Sequence, residues 1–294
     1  MRGQDITDLI LLAAIWGSSF LFIRLGVVDF GPFPLMALRT SIAFLILLPI
    51  LLWRHAFSDF LGHWKAILAI GVLNAAIPFS LLAYAAFTIP AGVLSILNAA
   101  TPLWGAVFAL IWLKDRLPPL RLLGLFIGFL GIVLLVWDEL EIDKLLGSGL
   151  GLAAGLGAPM AYGFSATFTK RFLMGTRSAA MATGALFSAS IVLIPLAWLT
   201  WPETPISQQA WGALLMLSVL CTGITYIIFY RLLMNVGPAK ASTVTLLIPV
   251  FGVLWGWLWL GEEVTWIIFV ATVIILLGTA LATGILGENR WQKR

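Results

Sequence analysis

Charge and cysteine are what this 294-residue chain lacks. Only 10% of its residues are charged against 61% hydrophobic, and the mean hydropathy is +1.05. A water-soluble fold could not hide that much apolar surface. The single cysteine, Cys221, excludes an intrachain disulfide and any cysteine-built metal centre. The two histidines, His55 and His63, share one short loop, and the acidic residues are read as falling in loops or tails. With no His, Cys, Asp or Glu converging in an apolar segment, no catalytic set, metal site or cofactor is expected. No polar stretch is long enough to enclose a core of its own, so a soluble domain is also missing. The net charge of +4 is spread over short loops rather than one face, which argues against a nucleic-acid partner.

What remains is hydrophobic runs. A bilayer core takes about 20 apolar residues as helix, and the chain divides into such runs at 8–28, 33–53, 65–87, 91–113, 119–137, 149–172, 179–200, 210–233, 239–260 and 265–286. The first run is long enough to span, so it reads as a retained helix rather than a signal peptide. Gly31-Pro32, Pro90, Pro118-Pro119, Pro202 and Gly237-Pro238 punctuate the junctions. Trp53, Trp64, Trp112, Trp137, Trp198, Trp201, Trp211, Trp259 and Trp266 fall near span ends, where indoles sit at headgroup level. With a cytoplasmic N-terminus, of 17 lysines and arginines only Lys144 lies in an external loop, and Arg24 and Arg39 fall inside spans. Both termini are therefore expected in the cytoplasm.

The second half repeats the first. A shift of about 147 positions brings Ser95 onto Ser242, Pro102 onto Pro249, Gly105 onto Gly252, Trp112-Leu113 onto Trp259-Leu260 and Gly131 onto Gly278. Trp16-Gly17-Ser18-Ser19 resembles Tyr162-Gly163-Phe164-Ser165, and Arg24 meets Lys170. Five spans per half is an odd number, so the halves enter the bilayer from opposite sides. The equivalent loops agree, since Lys114-Asp115-Arg116 on the inside becomes Gly261-Glu262-Glu263 on the outside. The expected architecture is an all-α membrane protein of ten transmembrane helices, two inverted five-helix repeats (1–145 and 146–294) around a central cavity.

The segments AAIWGSSFLFIRLG, ALRTSIAF, NAATPLWGAVFALIWLKDRLPPLRLLGLFIGFLGIVLL and TLLIPVFGVLWGWLWLGEEVTWIIFVATVIILLGTALA resemble the drug/metabolite transporter superfamily, specifically the bacterial EamA-type exporters. The acidic residue after the fourth helix is normally Glu there. It is Asp115 here, while Glu262 keeps the pattern in the second half. The resemblance implies a multi-pass protein of the bacterial inner membrane that exports amino acids, including aromatic ones, related metabolites or drugs from a central cavity.

Polar groups in lipid must be satisfied, so polar stripes within spans should face the bundle interior. The candidates are Trp16 and Ser19 on span one, with Ile23 on the same face. Tyr162 and Ser165, followed by Thr169, take the corresponding places on span six. Ser95, Asn98, Pro102 and Trp104 on span four answer to Ser242, Thr245 and Pro249 on span nine, while Asn74 and Pro78 on span three answer to Thr225 and Tyr226 on span eight. Each of Pro102 and Pro249 removes a backbone donor and should break its helix near the midplane. Back-bonding of Ser and Thr to their own helix is the competing role. Gly124/Gly128, Gly151/Gly155 and Gly252/Gly256 have the spacing of close helix contacts. Arg24 and Arg39 are assigned to an external vestibule or to orientation by snorkelling, with Asp29 a partner for one of them.

The reading is a carrier working by alternating access, a monomer or weak oligomer whose partners are a small-molecule substrate and the lipid bilayer. With no titratable Asp, Glu or His expected inside the spans, it is expected to be a facilitator. The alternatives are a multidrug or other metabolite exporter coupled to an ion gradient, a channel, or a non-transport membrane protein such as an enzyme, receptor or scaffold.

Overall fold

The computed structural model describes residues 3–286 apart from 116, 140–141, 238–240 and 242. Its regular structure among the described residues is entirely helical. Seven helices are long and apolar enough to cross a bilayer: α1 (Gly3–Phe30), α2 (Pro32–Trp53), α3 (Trp64–Ala85), α4 (Ala91–Trp112), α5 (Pro119–Trp137), α7 (Ser178–Leu199) and α8 (Gln208–Val236). Between the fifth and the seventh of these labels lies α6 (Ile142–Phe172), 31 residues long. Two shorter apolar helices close the chain, α9 (Val244–Leu260) and α10 (Trp266–Ala282).

Local chemistry sets the boundaries. Gly31 takes φ +75, which an L side chain resists, and lets the chain turn from α1 directly into Pro32 at the start of α2. Ser207 and Thr265 cap α8 and α10, each accepting the backbone N–H three residues on at 3.2 Å. Gly261 ends α9 in the left-handed region. Trp53, Trp137, Trp198, Trp259 and Trp266 are exposed at helix ends, as headgroup anchors should be.

The interruptions differ from the expected ones. Pro102 does break its helix: α4 consists of Ala91–Asn98 and Thr101–Trp112, joined by a turn at Ala99–Ala100. Pro249 lies within an unbroken α9. It comes in the second turn of that helix, where the lost donor affects only the first turn, whereas Pro102 falls near the middle of its span. The third and eighth helices contain wide π turns, Val72–Ala76 just ahead of Pro78 in α3 and Met216–Ile224 in α8. Such turns are uncommon and gather at functional sites.

α1 also begins earlier than its apolar run. Asp5 and Asp8 lie inside the helix and are only 4% exposed, which corrects the expectation that acidic residues are confined to loops and tails. Their burial is possible because α8 supplies partners. Arg231 Nε donates to Asp8 Oδ2 at 2.9 Å, and Asn235 Nδ2 donates to Asp5 Oδ1 at 3.2 Å.

Helix pairing is regular. α2 packs along α7 and α5 along α10, while α1 lies against α9 and α8, and α6 lies against α4 and α3. The close approaches depend on glycine. A Cβ at Gly278 would collide with the Gly128 backbone, and one at Gly17 would sit 2.7 Å from Phe251 Cβ and 2.9 Å from Gly252 N.

Candidate functional site

Arg39 is the centre of the interior. It projects from the second turn of α2, is 5% exposed, and stands with its Cζ 4.0 Å from the centroid of the Phe79 ring of α3. Its Nε–H donates to Thr222 Oγ1 at 3.2 Å, and Nη1 lies 3.9 Å from Met36 Sδ. Thr222 belongs to the π turn of α8 and itself bonds back to Leu217 O at 2.8 Å. Tyr162 of α6 and Cys221 and Tyr226 of α8 are close enough to interact electrostatically with the guanidinium. Four helices from both halves of the chain thus converge on one cation. This is not the headgroup or vestibule position expected for it, because Phe79 and the α8 turn cover the side chain.

Several expected cavity residues join this region. Trp16 Nε1–H donates to Thr225 Oγ1 at 3.1 Å, and its ring lies 5.3 Å from Phe229. Tyr162 is half-buried with its ring 6.4 Å from Phe79. Ser19 is buried beside Cys221. Asn98 Oδ1, Trp104 Nε1 and Ser165 Oγ are buried without a hydrogen-bond partner among the described residues. Ser19 Oγ is a fourth such atom, and because buried polar atoms are nearly always paired, these orphans on the expected polar stripes mark places where a ligand or water would be satisfied.

The remaining candidates divide. Ser95 Oγ donates to Gly92 O at 2.6 Å and packs on Gly252, which is the back-bonded packing role. Thr169 likewise donates to Ser165 O at 2.9 Å. Asn74 and Thr245 are half-buried, and Pro78, Pro102 and Pro249 shape backbone as described. Ser242 lies outside the described residues. An apolar cleft of about 390 Å³ between α2, α3 and α7 contains Pro32, Ile77, Tyr84 and Leu196 but none of these polar candidates. No group of three potential metal ligands occurs among the described residues.

Two ion pairs flank the interior. At one end Arg24 donates to Ala86 O and Ile89 O at 3.1 and 2.8 Å, with its Nε 3.8 Å from Glu262 Oε1. Glu262 in turn accepts the backbone N–H groups of Ala91 and Gly92 at 2.6 and 2.9 Å. At the other end Lys170 Nζ meets Asp115 Oδ2 at 2.6 Å. Asp29, considered for an arginine, instead accepts the Ser207 N–H at 2.9 Å. Its side chain reaches the start of α8, where an unpaired helix N–H is the nearer donor.

Sequence reasoning missed Phe79 and Met36 in the Arg39 cluster and the Asp8–Arg231 pair. Only the charge of Arg39, inside a span, signalled that something unusual must surround it.

The comparisons with known proteins agree with a membrane carrier. The EamA-like transporter family matches residues 7–137 and again 149–284. A probable amino-acid metabolite efflux pump of Escherichia coli is 24% identical, covering 100% of this chain and 98% of its own. The uncharacterized transporter YoaV of Bacillus subtilis is 24% identical over 94% of this chain and 95% of its own, and an uncharacterized transporter of Archaeoglobus fulgidus is 24% identical over 96% and 98%. A crystal structure of 18% identity superposes with a TM-score of 0.68 over 97% of this chain and 99% of that one, which speaks to the fold alone.

Proposed function

The chain belongs to the EamA-like transporter family, and from that premise we propose that it exports small metabolites, amino acids with aromatic ones among them, by alternating access between two inverted five-helix repeats. It is a multi-pass membrane transporter, not an enzyme. The proposal adds ten spans, repeats of 1–145 and 146–294, cytoplasmic termini and residence in a bacterial inner membrane.

One observation carries the mechanism: contacts between the halves occur twice, at the same offset. Gly17 of α1 lies against Phe251-Gly252 of α9, and Gly163 of α6 lies against Trp104-Gly105 of α4. Gly17 and Gly163 are equivalent in the repeat, as are Gly105 and Gly252. The charged pairs follow the same rule, because Arg24 corresponds to Lys170 and Glu262 to Asp115. A pseudo-twofold arrangement with one ion pair at each end is compatible with rocking about a midplane site. Breaking one pair while the other holds would open the cavity to one side only. The double match to the family supports the repeat boundaries, and the E. coli relative's name supports the substrate class.

Counterflow of labelled phenylalanine and other amino acids in proteoliposomes tests the activity. Substrate exchange is expected, and its absence for every amino acid tried refutes the substrate class. For orientation, single cysteines replacing Asp143 and Lys65 should react with an impermeant reagent from opposite sides. The native Cys221 is buried and should stay silent. Labelling of both positions in intact cells would reject the topology.

A further inference from the structure

Four cations of this protein are paired with carboxylates, and the one buried cation among the described residues is not. Arg24, Lys170, Arg177 and Arg231 each reach a carboxylate, on Glu262, Asp115, Asp59 and Asp8 respectively. Arg39 is 5% exposed, yet it meets no carboxylate among the described residues. Its neighbours are a threonine hydroxyl, a thioether, the Phe79 ring face, and the Tyr162, Tyr226 and Cys221 side chains. A guanidinium carries five N–H donors, and among the described residues this one gives a single hydrogen bond to oxygen. Taking an unpaired charge out of water is costly even after relaxation, and a ring face returns only part of that cost. A charge kept under those terms inside a membrane-spanning helix is a functional feature by default.

We infer that Arg39 receives the carboxylate of the transported substrate, which makes it the specificity-determining residue of this carrier; the inference rests on the export reading and names its substrate class. The planar fork suits a carboxylate through two parallel N–H···O bonds. The Phe79 ring lies against it and the Tyr162 ring stands 6.4 Å from that of Phe79, so the rest of the ligand is apolar or aromatic. No carboxylate of the described residues stands in the cluster to receive an ammonium group, so an α-amino group is not required. The ligand class is therefore a monocarboxylate with an apolar body, with or without an amino group. Because Arg39, Phe79, Tyr162 and Tyr226 come from α2, α3, α6 and α8, the bound carboxylate would bear on both halves at once. That is the position from which occupancy can bias their rocking.

The test is thermal unfolding of the purified full chain in detergent against four probes that share a phenyl body: 3-phenylpropionate, phenylalanine, phenethylamine and 3-phenylpropanol, with sodium chloride at matched ionic strength. The two carboxylates should raise Tm and the amine, alcohol and chloride should not. Arg39→Gln should weaken the apparent affinity for 3-phenylpropionate at least tenfold, equivalent to about 1.4 kcal/mol. Arg39→Lys, which keeps charge but loses the fork, should fall between. Arg177→Gln, remote from the cluster, should respond like the wild type. Should Arg39→Gln fail to fold, the probe series on the wild type and Arg39→Lys still decides the matter. Equal stabilisation by phenethylamine or chloride, no response of the wild type to either carboxylate, or affinity within threefold of wild type in Arg39→Gln would each overturn the proposal. Carboxylate binding without amino-acid flux in proteoliposomes would refute the export of amino acids while leaving the Arg39 site standing. Flux that ignores Arg39→Gln would do the reverse.

Discussion

Glu262 ties the two halves together through backbone, and its removal has a size that can be worked out. The helical segment Ala91–Asn98 starts after Pro90, which has no side-chain oxygen to cap it. Glu262 does that work from the other half of the chain, accepting Ala91 N–H at 2.6 Å and Gly92 N–H at 2.9 Å, with its own side chain 13% exposed. Hydrogen bonds to a charged group contribute about 1.5–3 kcal/mol each, and the favourable end of the helix dipole adds about 0.3–1 kcal/mol. The Arg24 contact adds little, because at 3.8 Å it is long and Arg24 is already held by two carbonyls. Non-additivity brings the expected cost of Glu262→Ala to about 3–4 kcal/mol, since it leaves two helix N–H groups unmet. Glu262→Gln keeps one acceptor oxygen and loses the charge, so about 1–2 kcal/mol is expected. Thermal and denaturant unfolding in detergent, referred to the wild type, measures both. If both Glu262 variants unfold within about 0.5 kcal/mol of wild type, the size expected of an ordinary surface substitution, the capping assignment is wrong.

Two further outcomes follow from the same geometry. Gly278→Ala should destabilise by about 1–3 kcal/mol or more, because the added methyl meets the Gly128 backbone rather than a movable side chain; an unchanged Tm would mean that α5 and α10 do not pack this closely. Arg177 holds the Asp59 carboxyl below its ordinary value of 3.8 by hydrogen bonding, so that pair stabilises the fold above this pH and the contribution is lost as pH falls through the lowered value. The Tm difference between wild type and Asp59→Asn should be constant near neutrality and vanish in acid, and a difference that grows in acid would contradict it.

The α-helical class and the long apolar helices were legible because both depend on apolar runs, and the paired prolines Pro102 and Pro249 can be read off the chain itself. The fate of those prolines was not legible. Whether a missing donor breaks a helix depends on how far inside the helix it falls, and the first turn of α9 could not be located from hydropathy. Asp5 and Asp8 were misassigned for a related reason: a hydropathy window ends at the first charge, but a helix ends where its backbone runs out of partners. Arg231 and Asn235 allow it to continue to Gly3. The polar stripes were visible as Trp16, Asn98, Trp104 and Ser165, whereas the Arg39 cluster was not. Its members come from four helices, and nothing in the spacing of Arg39, Phe79, Tyr162 and Thr222 along the chain relates them.

The buried acids bear on energy coupling, because a proton-driven carrier needs a titratable group that substrate and proton both reach. Around Arg39 the described partners are Thr222, Tyr162, Tyr226, Cys221, Met36 and Phe79, none of them a carboxylate or histidine. Asp5 and Asp8 are buried but lie at the start of α1, a full turn or more beyond Trp16 toward the terminus, and are engaged by α8. Glu262 is occupied in capping Ala91 and Gly92. His55 and His63 are exposed in a loop. Flux should therefore run down the substrate gradient alone. In proteoliposomes loaded with labelled phenylalanine, an outward substrate gradient should suffice for efflux, and an imposed pH or sodium gradient should not concentrate a neutral substrate. Asp8→Asn, which breaks the pair with Arg231, should lower stability or rate without changing the shape of the rate against pH. Uphill accumulation driven by protons and abolished in Asp8→Asn would refute facilitated export and move the coupling site to the α1–α8 contact.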